Sequence, residues 1–262
     1  MPERLNGQVS KTLGEQSHAS SNLASSAMNI LITGASGGLG SQLCENLLSQ
    51  GHSVFGFYNT NSPVSTSVLD QNKFHGVKLD FAHIVSGEYV SQYIPEDIDH
   101  AIFCHGVNVH RNILQLEKEE IIYSHQVNFI STFLFSQQLV QKWQKTSDKD
   151  RSLIYISSVA TKGGSPDEVA YHSAKRASES AMLAFARGFA DINIRSNVIS
   201  PGLMDTKMGK ETIKNRPDVL ERIPLKKLVG IEEVVSLINT VIQSPSITGQ
   251  NFHINNGRYC SI

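Results

Sequence analysis

The sequence predicts a doubly wound α/β fold, a single parallel sheet with helices on both faces. Three observations predict it. Short runs rich in Val, Ile and Leu alternate with longer stretches of helical periodicity; the first run leads directly into a glycine-rich turn and a helix; no repeat or long linker interrupts the alternation. At 262 residues with 40% apolar and 18% charged residues, the chain can bury the core of one such domain.

Residues 1–27 hold six serines with Glu3, Arg4, Lys11 and Glu15, and lack the apolar block of a secretory signal. They read as a flexible leader, with Met28 an alternative start, and residues 28–262 as the single domain. Asn29-Ile30-Leu31-Ile32 is a buried strand. Leu39, Leu43, Leu47 and Leu48 then recur at helical spacing up to Gly51, a residue suited to a helix end. Strands follow at Val54 to Phe57, near Val77 to Leu79, and at Ala101 to Cys104. Ile113 to Trp143 shows helical spacing, Leu153 to Ile156 is a strand, Tyr171 to Phe189 is an alanine-rich helix, and Ile194 to Ile199 is a further strand. Parallel strands joined this way bind ligands at their carboxyl ends.

Composition excludes several classes of function. Lysine and arginine total 23 against 24 acids, a net charge of -1, so no field attracts nucleic acid or an anionic membrane. No run nears the ~18 apolar residues of a membrane span. Cys44, Cys104 and Cys260 are odd in number and far apart, which suits neither a disulfide framework nor a zinc site and implies a reducing, cytoplasmic setting. His105, His110 and His125 are irregularly spaced with no carboxylate cluster, so no metal is expected.

The turn after the first strand reads Thr33-Gly34-Ala35-Ser36-Gly37-Gly38-Leu39-Gly40. Missing side chains let a pyrophosphate approach the backbone, and the positive end of the next helix favours its charge. Glycines can also simply make a tight turn, but their place on the first strand of an alternating fold favours a dinucleotide. Gly34, Ser36, Gly37, Gly38, Leu39 and Gly40 are the expected contacts.

Tyr171-His172-Ser173-Ala174-Lys175 sets a phenol and an ammonium four residues apart, on one face of a helix. A nearby ammonium favours phenolate and is expected to lower the tyrosine pKa. Alone, such a pair is more often an exposed helix pair. Ser158 shifts that balance: it lies thirteen residues earlier, just beyond the strand Leu153 to Ile156, where its hydroxyl could hold a substrate oxygen.

Thr33-Gly34, three residues, Gly38, one residue and Gly40 resembles the nucleotide motif of the short-chain dehydrogenases and reductases. Ser158, Tyr171 and Lys175 match that family's serine, tyrosine and lysine. Asn128, in Gln126-Val127-Asn128-Phe129, matches its helix asparagine, which holds a water in the proton relay. Pro201-Gly202-Leu203-Met204-Asp205-Thr206 resembles the segment beside the nicotinamide, with Pro201, Gly202, Met204 and Thr206 as expected contacts. Asp80-Phe81 matches the pair against adenine, and Ile247-Thr248-Gly249-Gln250 the approach to the last strand. The resemblance spans about residues 29 to 257 and implies a Rossmann fold and an NAD(P)-dependent oxidoreductase.

Two departures stand out. Phe103-Cys104-His105-Gly106 occupies the place of Asn-Asn-Ala-Gly, leaving Cys104, His105 and Gly106 as expected cofactor contacts without the asparagines. Asn255-Asn256-Gly257 replaces Asp-Gly-Gly. At the end of the second strand, Phe57-Tyr58-Asn59-Thr60 offers no carboxylate to the adenine ribose, so NADP is preferred over NAD, with Tyr58, Asn59 and Thr60 beside it.

The region from Val107 to Trp143, with Arg111-Asn112-Ile113-Leu114, and Ile223-Pro224-Leu225 most resemble the 3-oxoacyl-[acyl-carrier-protein] reductase branch. That branch implies a small carbonyl or acyl-thioester substrate, with an acyl carrier protein as the expected carrier. Seven basic residues against three acids between Lys207 and Lys227 could face such an acidic partner, although a solvated helix face is the commoner meaning. The family usually forms homotetramers through its two long helices, and Phe129, Phe133, Phe135, Met182 and Phe185 exceed what one inner face requires. A secondary or sugar alcohol dehydrogenase is the alternative within the family. A non-catalytic NADP-binding redox sensor is the alternative outside enzymes, and Ser158, Tyr171 and Lys175 together argue against it.

Overall fold

In the computed structural model, which describes residues 27–60, 72–146 and 149–259, short apolar segments assemble into one parallel sheet. The strands are β1 (Asn29–Thr33), β2 (Ser53–Tyr58), β3 (Phe74–Lys78), β4 (His100–Phe103), β5 (Arg151–Ile156), β6 (Ile194–Pro201) and β7 (Asn251–Ile254), in the order β3-β2-β1-β4-β5-β6-β7. Residues 1–26 of the expected leader, and Cys260, lie outside the described residues.

The strands carry little alternation because both faces are covered: every residue of β4, β5 and β6 is buried. Successive residues still point opposite ways. On one face Leu31, Phe103, Leu153 and Tyr155 pack with Phe135, Leu139 and Trp143 of α4 (Ser131–Trp143) and Met182 and Phe185 of α5 (Val169–Gly188). On the other, Ile30, Ile32, Ile102 and Ile154 meet Leu39, Leu43 and Leu47 of α1 (Gly38–Ser49) and Val234, Ile238 and Val241 of α7 (Ile231–Gln243). Phe135, Met182 and Phe185 therefore belong to the chain's own core, and the expectation that they exceed one inner face is corrected.

The helical stretch expected from Ile113 starts later and is broken. Arg111 N donates to Asp167 O and Ile113 N to Pro166 O, while Leu114 N donates to Asn112 Oδ1 within the segment, so it is held as a loop against Pro166 and Asp167. Helix begins with α3 (Lys118–His125), widens into a π turn over Gln126–Ile130, and continues as α4. Two shorter helices are α2 (Gly87–Ser91) and α6 (Lys207–Asn215).

Strand order reverses between β1 and β4, so the chain leaves their carboxyl ends in opposite directions and opens a crevice there. The crevice is tight at its floor. Gly34 has φ +69, and a Cβ there would stand 2.6 Å from His105 N.

Candidate active site

The crevice is a cleft of about 650 Å³. Gly34, Ser36, Gly37, Gly38, Leu39 and Gly40 form one wall. Gly37 N donates to Gly34 O at 2.9 Å, and a Cβ on Gly40 would run into that same carbonyl. A Cβ on Gly38 would lie 2.9 Å from Thr206 Cγ2. The turn is thus a cradle that any side chain would fill, at the amino end of α1, and its donors and dipole suit a pyrophosphate. A dinucleotide fits these residues.

Of the other expected contacts, Asn59, Asp80, Phe81, Cys104, His105, Gly106, Tyr171, Lys175, Met204 and Thr206 also line the cleft. Tyr58, Thr60, Pro201 and Gly202 are not among its lining residues. Pro201 and Gly202 instead line a second, smaller pocket of about 120 Å³. Asp80 is occupied: Oδ1 accepts from Ala82 N at 2.9 Å and Oδ2 lies 3.2 Å from His83 Nδ1. The Phe81 ring is buried, stacked on His105 at 4.0 Å between centroids.

Tyr171 lies in the wall shared by the cleft and the smaller pocket; Ser158 lines only the pocket, and Lys175 only the cleft. Burial pushes the Tyr171 phenol up to about 12, with the Ser158 hydroxyl acting the other way and the Glu168 charge adding to the rise. The expected lowering by Lys175 is therefore corrected. Lys175 Nζ donates to Ile156 O at 2.9 Å and His105 O at 3.5 Å, lies 5.8 Å from the Tyr171 ring centroid, and is itself pushed down to about 8 by burial. Ser158 Oγ accepts from Ala160 N at 3.1 Å, a bond that uses a lone pair and not the hydroxyl proton. Its neighbour Ser157 is committed to buried Glu179, at 2.6 Å.

His105 braces the crevice in place of the missing asparagines. Nδ1 shares a hydrogen bond with Thr33 Oγ1 at 2.6 Å and Nε2 another with Ser131 Oγ at 2.9 Å, tying the ends of β1 and β4 to α4. Burial pushes its pKa down to about 3, so the ring is neutral. Asn128 sits fully buried in the π turn. Its side chain clamps Val107, accepting from N at 3.1 Å and donating to O at 2.9 Å, while its carbonyl accepts from Tyr155 and Ser178. A Cβ on Gly106 would lie 2.7 Å from Asn128 Oδ1 and 3.2 Å from Lys175 Nζ, so a side chain there would have to displace these groups.

Sequence reasoning missed Asn108, Glu168, Arg216 and Arg258, all lining the smaller pocket. Asn108 follows Gly106 closely and could have been named from that loop; no local spacing marks the other three. Burial raises the Glu168 carboxyl, but His172, Asn108 and Arg216 outweigh it and hold it at about 2. Asn108 Nδ2 donates to Oε1 and Arg216 to Oε2, each at 2.8 Å, whereas His172 Nε2 stands 3.6 Å away, too far for a direct bond. Among the described residues, no three His, Cys, Asp or Glu side chains gather as a metal site, and no helix is long and apolar enough to cross a membrane.

A family model described as short chain dehydrogenase matches residues 28–217. An uncharacterized oxidoreductase, YmfI of Bacillus subtilis (strain 168), is 25% identical over 239 residues, 88% of this chain and 98% of that protein. The 3-oxoacyl-[acyl-carrier-protein] reductase FabG of Escherichia coli (strain K12) is 25% identical over 237 residues, 87% of this chain and 96% of its own. Among solved structures, 4-hydroxyisoleucine dehydrogenase complexed with NADH aligns with TM-score 0.80 at 24% identity, over 88% of this chain and 98% of its own. A putative 2-deoxy-d-gluconate 3-dehydrogenase from Agrobacterium tumefaciens with bound NADP aligns with TM-score 0.81 at 18% identity, over 90% and 98%. These two structures share the fold.

Proposed function

The chain belongs to the short-chain dehydrogenase family, and on that premise we propose that it uses NADPH to reduce a carbonyl compound, a 3-oxoacyl thioester or related ketone, with Tyr171 as proton donor. It is an oxidoreductase on an NAD(P)-binding fold. The observation that carries the finer reading is the position of Tyr171 between the cleft, with Lys175, and the small pocket, with Ser158. Cofactor, acid and substrate then follow in that order.

When bound, the dinucleotide supplies the hydride that the carbonyl carbon receives. The remaining work falls to the chain. Gly34, Gly38 and Gly40 admit the pyrophosphate against backbone, and the amino end of α1 favours its charge. Tyr171, kept protonated at neutral pH by burial, gives its proton to the carbonyl oxygen as charge develops there. Ser158 donates a hydrogen bond to the same oxygen. Lys175, fixed by two backbone carbonyls, holds positive charge beneath the site, and Asn128 keeps the wall at Gly106 and Val107 in place.

NADP rather than NAD is supported by Asn59, the cleft residue at the end of β2, which would not repel a 2′-phosphate. Asp80, a carboxylate in the cleft lining, is already hydrogen-bonded. The 3-oxoacyl class is supported by the relationship to the FabG reductase. An acyl carrier protein would meet the basic stretch around α6, where Lys207, Lys214 and Lys227 are exposed, while Lys210, Arg216 and Arg222 are already paired with acids. Assembly as a homotetramer in a reducing, cytoplasmic setting completes the proposal; its support is the apolar surface of α3 to α5, where Ile122, Ile130, Phe133 and Leu183 are exposed.

The test is NADPH and NADH oxidation against a panel of 3-oxoacyl thioesters, neutral ketones, oxo acids and sugar carbonyls. Turnover with thioesters or ketones and a higher kcat/KM for NADPH is expected. Turnover of sugars alone would remove the substrate class, and inertness to every carbonyl would remove the reading itself.

A further inference from the structure

The small pocket carries a charge that carbonyl reduction does not use. Three charged side chains line it: Glu168, Arg216 and Arg258. Glu168 and Arg216 close on each other at 2.8 Å and cancel. Arg258 has no carboxylate partner among the described residues; its guanidinium lies only near the Tyr259 ring, 5.7 Å from the centroid. Arg258 therefore brings an uncancelled positive charge, on a half-buried side chain, to the lining that it shares with Tyr171 and Ser158.

The backbone delivers this arginine through the segment in which the sequence departs from the family pattern. Beyond β7, Asn256 and Gly257 both adopt positive φ, 54° and 80°, and reverse the chain. The reversal is fastened on both sides. Asn256 Nδ2 donates to Lys227 O at 2.9 Å, Asn255 Nδ2 to Tyr259 O at 2.9 Å, and Arg258 N to Asn255 O at 3.1 Å. The segment also crosses Gly202 of the pocket wall so closely that a Cβ there would stand 3.0 Å from Asn255 Cα. Arg258 thus lines the pocket from a held position. A guanidinium offers a planar fork that matches a carboxylate, and such a pair strengthens away from bulk water.

We propose that Arg258 binds an anionic group of the substrate, so that the carbonyl compound is a short oxo acid whose carboxylate meets Arg258 while its ketone faces Tyr171 and Ser158. This rests on the carbonyl-reductase reading and, of its two substrate classes, takes the related ketones, as free oxo acids, over the 3-oxoacyl thioesters; a volume of about 120 Å³ suits a short molecule. Arg258 is a specificity residue, separate from the proton-transfer groups.

The test compares wild type, Arg258→Ala and Arg258→Lys with NADPH on short 2-, 3- and 4-oxo acids, their methyl esters and the matching 3-oxoacyl thioesters. Wild type should prefer at least one acid over its ester and thioester. Arg258→Ala should lower kcat/KM on that acid about 10- to 100-fold, mainly through KM, and lower it far less on the ester, with Arg258→Lys between. A wild type that prefers esters or thioesters, or an equal loss on acid and ester, would overturn the proposal while sparing carbonyl reduction. If no carbonyl turns over, that broader reading fails, and the anion site is decided by binding: butanoate should raise the melting temperature of the NADPH-loaded wild type but not of Arg258→Ala, and butanamide should affect neither. No rise with butanoate, or the same rise in both proteins, rejects the site.

Discussion

Tyr171 behaves differently from what a lysine four residues away suggests, because proximity in a helix does not fix where an ammonium points. Lys175 reaches past the ring to two backbone carbonyls, and burial dominates the phenol. A phenol pushed up to about 12 remains a proton donor throughout the neutral range, the state that reduction requires. Tyr171→Phe should therefore cut reduction about 10²–10⁴-fold with little change in volume and with NADPH binding retained. Wild-type turnover in a folded variant that still binds NADPH would refute the assignment. Ser158→Ala should lose about 10²–10³-fold in kcat by removing the donor to the oxygen. It also removes the side chain that caps the turn at Ala160, so its melting temperature is the control that separates the two effects.

At the scale of elements, the glycine turn and the π turn both contribute to the lining of the cleft. Gly38→Ala pushes a methyl toward Thr206 Cγ2, and Gly106→Ala places one between buried Asn128 and Lys175. Both variants should weaken NADPH binding about tenfold or more by fluorescence titration, while far-ultraviolet circular dichroism stays that of wild type. Unchanged affinity in both would mean that neither wall approaches the cofactor. The π turn explains why the second change matters: it seats Asn128 so that its amide clamps both polar groups of Val107, and the clamp fixes the loop that Gly106 begins.

For the whole molecule, pH and assembly are the measurable consequences. Burial lowers His105 to about 3 and His100 to about 4, against an unfolded value near 6.5. Between these limits the unfolded chain binds protons that the native state refuses, so stability falls as pH drops from about 6.5 toward 3. Melting temperature should decline over that window, and His105→Ala, although less stable at pH 7 for want of its brace, should decline less steeply. Equal slopes would show that His105 does not titrate as described. The exposed apolar residues Ile122 and Leu183, 53% and 48% accessible, lie on the face proposed to pair with other copies. Ile122→Glu with Leu183→Glu should convert a tetramer seen by light scattering into smaller species; a wild-type monomer at micromolar concentration would contradict the proposed assembly.

By itself the sequence determined the alternation of strand and helix, the glycine turn on the first strand, and the residues worth following into the site. Those features are local: periodicity reports which faces are apolar, and Gly34 to Gly40 or Tyr171 to Lys175 are neighbours along the chain. Tertiary structure decided what covers each side chain. It buried Phe135, Met182 and Phe185 in the chain's own core, turned the segment from Arg111 to Leu114 into a loop held by Pro166 and Asp167, and widened the long helix into a π turn at Asn128. It also joined Glu168 to Arg216 across forty-eight residues and brought Arg258 to the pocket of Ser158. Burial, and with it the raised phenol of Tyr171 and the lowered ammonium of Lys175, depends on partners distant in the chain, because desolvation is set by everything packed around a group rather than by its sequence neighbours.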